Sequence, residues 1–206
     1  MTEAQRKGIM FILSSPSGAG KTTISKGLLN SDPNLCLSIS VTTRKKRSNE
    51  IDGKDYYFTS KQEFEQMIKE GLLLEHAEVF GNYYGTPFKQ TEELLNKGHD
   101  ILYDIDWQGT LQLLNNYKDN IASIFLLPPS MRILEDRLRN RAQDDDSTIS
   151  KRLSGAKLEM SKCEHYDYLL VNDKIELTLE KARACIEAER NKVSRINLQE
   201  LLIKTT

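Results

Sequence analysis

The amino-acid sequence predicts an α/β fold: a mostly parallel sheet flanked by helices, with a small lobe inserted after the second strand and a helical lid further along. Three observations carry that expectation. Short, nearly continuous apolar runs at 9–13, 101–106, 121–127 and 168–171 read as strands buried on both faces. Helical patterns alternate with these runs, the order expected of parallel strands joined by crossovers. The first run leads directly into Ser15, Pro16, Ser17, Gly18, Ala19, Gly20, Lys21, Thr22 and Thr23 and then a helical segment to Leu29, the strand, turn and helix of a phosphate-binding loop.

Each element follows from local chemistry. At the loop, backbone N–H groups and the positive end of a helix converge on one point, where Lys21 adds a charge and the Thr22 hydroxyl is placed to ligate the magnesium ion of a nucleoside triphosphate. The strict pattern has glycine where this chain has Ser15. Residues 36–41 alternate as a half-buried strand does and give way to a basic loop at 43–47, a turn at 49–54 and a short strand at 55–58. Ser60 and Glu63 have capping-box spacing, Phe64, Met67 and Ile68 share a helical face, and Gly71 is a stop signal. An extended segment carrying Glu75 is expected at 72–80, and a glycine- and tyrosine-rich loop at 81–87. After a helix at 89–97 come the two buried strands at 101–106 and 121–127. A charged helical stretch at 130–160 is broken by Gln143-Asp144-Asp145-Asp146, read as a hinge or a lid tip. The tail from Glu176 is an amphipathic helix with Leu179, Ala182 and Ile186 inward. The expected division of the single domain, residues 1–206, is a core of about 1–38, 90–130 and 160–206, a lobe of about 39–89 and a lid of about 131–159.

Composition bounds the function. With 206 residues, 38% of them hydrophobic, the chain can bury one sizeable core. Its 29 basic and 30 acidic residues nearly cancel, so no global field favours nucleic acid or an anionic membrane, and any anion site is local. Cys36, Cys163 and Cys185 are odd in number and far apart, which fits a reducing cytoplasm. The apolar run after Gly8 is too short for a signal core or a membrane span.

Several charged groups have two readings. Asp104 and Asp106 close a buried strand, either as strand-end caps or as carboxylates in the crevice beside the phosphate loop, where one serves magnesium through water. Asp106 to Gly109 also fits the D-x-x-G signature of GTPases, but no N-K-x-D element follows: Asn191-Lys192-Val193-Ser194 ends in serine. The run Arg44 to Arg47 is a solvated loop by default. With Tyr56 and Tyr84 flanking it, Arg44 and Arg47 can instead fork onto a second, monophosphate group. Arg137 and Arg141, four apart on one helix, and Arg152 on the next are either salt-bridge partners of Glu135, Asp136 and the acidic run 144–146, or a mobile clamp.

These motifs, in their order, resemble the bacterial guanylate kinase family along nearly the whole chain. The resemblance rests on the phosphate loop, S-x-S-x-T-T-R at 38–44, G-N-Y-Y-G-T at 81–86, D-I-D-x-Q-G at 104–109, R-L-x-x-R at 137–141 and V-N-D at 171–173. It implies transfer of the γ-phosphate of Mg·ATP to GMP, and by extension dGMP, in purine metabolism. Arg44, Arg47, Tyr56 and Tyr84 are implied to hold the GMP phosphate, and Ser40, Glu75, Thr86 and Asp106 to surround the guanine. Lys21, Arg137, Arg141 and Arg152 are implied to work on the ATP phosphates, with Asn172 near the adenine. Asp104 is assigned both to the GMP site and, through water, to the metal. The departures are Ser15, Lys46 and Asn49 where the family usually has proline and glycine, and Ala142 in place of a lid glycine. The rivals are a non-catalytic guanylate-kinase-like binding module, against which intact Lys21 and Thr22 speak, and a kinase for another phosphate ester, against which Glu75 speaks. Partners are expected to be ATP and GMP, with a homo-oligomer left open.

Overall fold

The continuous apolar runs of the sequence form the larger of two sheets, and the alternating run at 36–41 is divided between both. The computed structural model describes residues 7–79, 81–140 and 146–197. Arg141, Ala142 and most of the expected acidic lid tip lie outside the described residues. In chain order the elements are β1 (Met10–Ser14), α1 (Lys21–Ser31), β2 (Leu35–Leu37), β3 (Val41–Thr42), β4 (Tyr57–Phe58), α2 (Lys61–Lys69), β5 (Leu73–Val79), β6 (Asn82–Pro87), α3 (Phe88–Asn96), β7 (Asp100–Asp104), α4 (Trp107–Tyr117), β8 (Ile121–Leu127), α5 (Met131–Asn140), α6 (Asp146–Ser161), β9 (Tyr168–Val171) and α7 (Ile175–Arg190).

The larger sheet is wholly parallel, in the order β2-β7-β1-β8-β9, with β1 hydrogen-bonded to β7 on one side and β8 on the other. Successive β1 side chains point to opposite faces. Ile9, Phe11 and Leu13 pack with Ile24 and Leu28 of α1 and Ala182 and Ile186 of α7. Met10 and Ile12 pack with Leu113 of α4 and with Leu94 and Leu95 of α3. Burial of each such side chain contributes about 1.5–3 kcal/mol, which makes this two-sided contact the main stabilising feature of the core. The smaller sheet has the order β4-β3-β6-β5, with β3 and β4 parallel and the other pairs antiparallel. A third apolar cluster, Leu134, Leu138, Ile149 and Ala156, joins α5 to α6.

The structure corrects four expectations. The single strand read at 36–41 is two: Ser38 N–H still bonds to Leu102 C=O, but Ser40 C=O already accepts from Tyr57 N–H, so the chain leaves one sheet and enters the other within three residues. The apolar–polar alternation of the sequence runs on across the break, hence the unbroken pattern. The loop read at 81–87 is β6, paired with β5 from Val79↔Asn82 to Leu73↔Pro87. Its glycine is demanded by packing, since a Cβ on Gly85 would meet Leu73 Cδ1 at 2.9 Å and Glu75 O at 3.0 Å. The strand read at 101–106 ends at Asp104, and a helix not anticipated, α4, begins directly after Asp106. By contrast, the capping box of α2 is present in both directions between Ser60 and Glu63.

A buried ion cluster closes the far side of the core. Asp100, fully buried, accepts from Ile9 N–H at 2.9 Å and Arg190 Nε at 2.8 Å, and Arg190 also meets Asp32 at 2.7 Å and Glu187 at 2.6 Å. Asp100→Ala should therefore cost about 3 kcal/mol in urea unfolding by leaving a buried N–H and part of a guanidinium unmatched. Asp32→Ala, at the more exposed end of the cluster, should cost less than half of that.

Candidate active site

At the end of β1 the Ser14 hydroxyl donates to Ile105 C=O (2.8 Å) and shares a hydrogen bond with Thr110 Oγ1 (3.1 Å), tying the strand end to the start of α4. The chain then turns through Ser15, whose hydroxyl donates to Pro16 C=O, and through Ser17, Gly18 and the fully buried Ala19. Gly18 and Gly20 have φ of +92° and +98°, and both are also crowded: a Cβ on Gly20 would lie 2.4 Å from Asn172 Nδ2, and one on Gly18 would lie 2.9 Å from Leu138. Gly20 caps α1 without any side-chain hydrogen bond. The first-turn N–H groups are thus left without a side-chain cap, whereas Ser60 caps α2 and Asp106 caps α4. An anion is the partner this end of α1 can take.

Lys21 Nζ stands 2.7 Å from Asp104 Oδ1 and donates to Ile105 C=O at 3.1 Å. Burial pulls its pKa down, but Asp104, Tyr56 and Asp106 outweigh that and hold it above the ordinary lysine value, a cation at all working pH. Thr22 and Thr23 follow on the exposed side of α1. Behind the loop, Asn172 Nδ2 donates to Ala19 C=O at 2.7 Å, while Asn172 Oδ1 is buried with no hydrogen-bond partner among the described residues. Arg137 reaches the same place, with Nη2 on Asn172 C=O at 3.1 Å and Nη1 near Ala19 C=O at 3.4 Å. The salt-bridge reading of this helix belongs to Arg139, which pairs with Glu135 and Asp146. Arg152 is half-buried on α6.

A second cationic group faces this one from the small sheet. Arg44, just past β3, has its guanidinium 5.2 Å from the Tyr56 ring centre, and the Tyr56 and Tyr84 rings meet edge to face at 6.1 Å. Arg47 is exposed beside it. Tyr56 links the two groups: burial and then Asp104 push its pKa up, while Lys21 and Arg44 oppose them. Its hydroxyl therefore feels the phosphate-loop lysine and the small-sheet arginine at once.

Glu75 and Thr86 sit opposite one another in the β5–β6 pair, and the Thr86 hydroxyl donates to Glu75 Oε1 at 2.6 Å. Glu75 is only 4% exposed. Burial, with the Asp106 charge adding, pushes its pKa up to about 7 against the pull of the Thr86 hydrogen bonds. Asp106 accepts from Gly109 N–H and Gln108 Nε2, both at 3.0 Å, so in place of a strand-end cap it is the N-cap of α4, a helix that neither of its two readings included. Ser40 lies half-buried at the crossing between the sheets.

Sequence reasoning missed four participants. Gln112 of α4 pairs with both His76 N–H (3.1 Å) and His76 C=O (2.7 Å), holding β5 as a neighbouring strand would. Gly109 gives Glu75 its room, for a Cβ there would lie 2.3 Å from Glu75 Oε2. Glu159 of α6 is brought close to the loop: burial pushes it up to about 7, with Lys21 and the Ser17 N–H opposing and Asp106 adding. Glu50 engages Arg44. Gly109 stands in the D-I-D-x-Q-G motif, but nothing there points to Glu75, and no short-range signal marks the other three; their partners lie on other elements or across an irregular loop.

Fold and site together define a P-loop α/β protein of the nucleotide-binding kind, with a second anion-receptive group beside the loop. The family profile described as guanylate kinase matches residues 7–189. A guanylate kinase of Rickettsia felis is 50% identical over 188 residues, covering 91% of this chain and 97% of the relative, and one of Paramagnetospirillum magneticum is 48% identical over 190 residues, covering 92% and 89%. The crystal structure of guanylate kinase from Anaplasma phagocytophilum superposes with a TM-score of 0.82 at 40% identity, covering 97% of this chain and 95% of that one. The chain belongs to the guanylate kinase family.

The raised Glu75 pKa sets a sign for stability. The folded state holds a proton on Glu75 that the unfolded chain gives up near pH 4.5, so stability falls as pH rises from there to about 7 and is level beyond. Glu75→Gln mimics the protonated form. Relative to wild type, it should gain about 2 kcal/mol between pH 5 and pH 8 in urea unfolding. An equal difference at both pH values would show that Glu75 titrates normally.

Proposed function

We propose that this chain transfers the γ-phosphate of ATP to GMP, giving ADP and GDP, with the phosphate loop as the ATP site and the small sheet as the GMP site. The observation that carries the reading is the pair of cationic groups on either side of Tyr56: Lys21 on the phosphate loop, 2.7 Å from Asp104, and Arg44 on the small sheet, 5.2 Å from the Tyr56 ring centre, with both charges acting on the Tyr56 hydroxyl. A donor and an acceptor phosphate held by these two groups would face each other across it. Phosphoryl transfer asks chiefly for position and charge neutralisation. Lys21 would turn from Asp104 to the transferred phosphate, the open N–H groups of α1 would hold the polyphosphate, and Arg137 would bring a guanidinium to the loop. The unmatched Asn172 Oδ1 supports a polar contact with the adenine or its surroundings. Arg44, Arg47, Tyr56 and Tyr84 would hold the acceptor phosphate, and the α5–α6 pair, with Arg141 and Arg152, would act as the lid that excludes water.

Magnesium fits the residues at hand. Thr22 and Asp104 offer two hard oxygen donors, too few for a cage of their own and suited to an ion that brings phosphate and water as its other ligands. When bound, it neutralises charge on the β- and γ-phosphates. Among the described residues no helix is long and apolar enough to cross a membrane; the proposed reaction is one of purine metabolism, for which a cytoplasmic enzyme is the setting.

Glu75 would choose the base. Guanine offers N1–H and a 2-amino group side by side to an ionised carboxylate, with Ser40, Thr86 and Asp106 around them; adenine sets a lone pair against it. Because Glu75 lies near pH 7, binding of guanine releases a proton from the fraction that still holds one.

A coupled ADP-release assay across GMP, AMP, UMP and CMP tests the reaction, and GMP should be preferred by a factor of about 10⁴. Lys21→Ala should lower kcat by about a hundredfold or more with little change in GMP affinity. Retention of most turnover would refute the loop's role. Gly109→Ala removes the room for Glu75 while favouring helix formation by about 1 kcal/mol. Crowding of the buried carboxylate costs about 1–3 kcal/mol against that gain, so the melting temperature should hold or fall by a few degrees, while the ratio of kcat/KM for GMP over AMP narrows by about tenfold or more; an unchanged ratio would take Glu75 out of base recognition.

A further inference from the structure

The stretch Arg44, Lys45, Lys46, Arg47, Ser48, Asn49 and Glu50 carries four consecutive cations and contains neither glycine nor proline. Nothing in its local sequence stiffens it. A loop of that composition tends to splay its side chains into solvent, and long arginine side chains have much rotamer freedom to lose.

The carboxylate of Glu50 removes that freedom. It accepts from Arg44 Nη2 at 2.7 Å and from Arg44 Nη1 at 3.1 Å, a two-point pair, and from the Arg47 backbone N–H at 2.8 Å. The Glu50 N–H returns a bond to Arg47 C=O at 3.2 Å, which closes the turn from both sides. Both side chains of the pair are largely sheltered, Arg44 at 16% and Glu50 at 12% exposure. Upstream, Arg44 N–H is tied to Thr42 Oγ1 of β3 at 3.1 Å.

The guanidinium has five N–H donors in a fixed plane. Two go to Glu50, and a third goes from Nη1 to Lys45 C=O at 2.9 Å. The remaining two, Nε–H and the second hydrogen on Nη2, share one edge. That edge is the fork that can take a phosphate oxygen pair. The group as a whole is set over the Tyr56 ring with the Tyr84 hydroxyl close by.

We propose that Glu50 is a positioning residue for the acceptor phosphate: it holds the end of the Arg44 guanidinium and the turn at Arg47, so that the Nε edge of Arg44 is presented as a preformed fork to the phosphate of GMP. The inference rests on the reading of the small sheet as the GMP site. Glu50 does not yield its place to the phosphate, because leaving would break the two-point pair and the turn together, while the other edge of the guanidinium has only the Tyr84 hydroxyl as a neighbour and no carboxylate. The electrostatics fit the same arrangement, Arg44 drawing Glu50 below the ordinary carboxylate range.

The test is Glu50→Gln, which keeps the shape but sets an amide donor against donors. Its KM for GMP should rise by about tenfold, with kcat at saturating GMP within about threefold and the KM for ATP within about twofold of wild type. Calorimetric titration should show GMP affinity reduced by a similar factor and guanosine affinity unchanged, because guanosine lacks the phosphate. Glu50→Asp should recover part of the GMP affinity. An unchanged GMP affinity would make Glu50 a bystander, and an increased one would make it a competitor for the phosphate. Equal losses for GMP, guanosine and ATP, with a lowered melting temperature, would reduce it to a structural residue; each of these three results overturns the proposal. If wild type turned over no GMP, the proposed reaction would fall, while the comparison of GMP with guanosine in the titrations would still decide the role of Glu50.

Discussion

The parallel pairing of β1 with β7 is the constraint on which the site depends. Leu13 lies opposite Asp104 in that register, so the two strands end together and the loop after one starts beside the carboxylate of the other. Lys21 and Asp104 meet at 2.7 Å as a result. The same strand ends fix Ile105 C=O, which receives both Ser14 and Lys21, and so tie the loop to the start of α4. Ligand crevices at the carboxyl ends of parallel strands have this origin generally; here the crevice lies where the sheet's connections change direction, with β7 on one side of β1 and β8 on the other.

From α4 the dependence passes to the small sheet. Asp106 caps the helix, Gly109 is thereby placed under Glu75, and Gln112 holds β5 by its backbone. The carboxyl group read as a base selector is thus positioned by a helix of the core, although it belongs to the other sheet. Two of the cationic side chains are handled alike. Lys21 rests on Asp104 and Arg44 on Glu50, so that each charge is sheltered by a carboxylate partner that leaves other donors available.

Much of this was legible in the sequence, for physical reasons that differ from residue to residue. The phosphate loop was legible because its glycines answer to local φ as well as to packing, and the strand before it because it is apolar on both faces. The capping box of α2 is a contact three residues apart. What escaped was decided at a distance. Asp106 as an N-cap and Asp106 as a ligand in the crevice look the same in sequence, since both follow a strand, and the helix it starts carries no acidic first turn to announce it. β6 was hidden by its tyrosines and glycine, which read as a loop until β5 is known to lie beside them. In the sequence two pairs four residues apart, Glu135 with Arg139 and Arg137 with Arg141, overlap, and α5 carries the first three of these residues. Only the neighbouring loop selects Arg137 for the site and leaves Arg139 to the surface ion pairs.

The side-chain amide of Gln112 has a consequence beyond the site. β5 is the outer strand of the small sheet, and an outer strand offers unpaired N–H and C=O groups to any extended chain that drifts alongside. Gln112 covers both polar groups of His76, and Gln108 Nε2 covers Glu78 C=O at 3.2 Å. Two glutamines on one helix thus stand in for the missing strand, and a sheet only four strands wide keeps a flank that would otherwise invite intermolecular association.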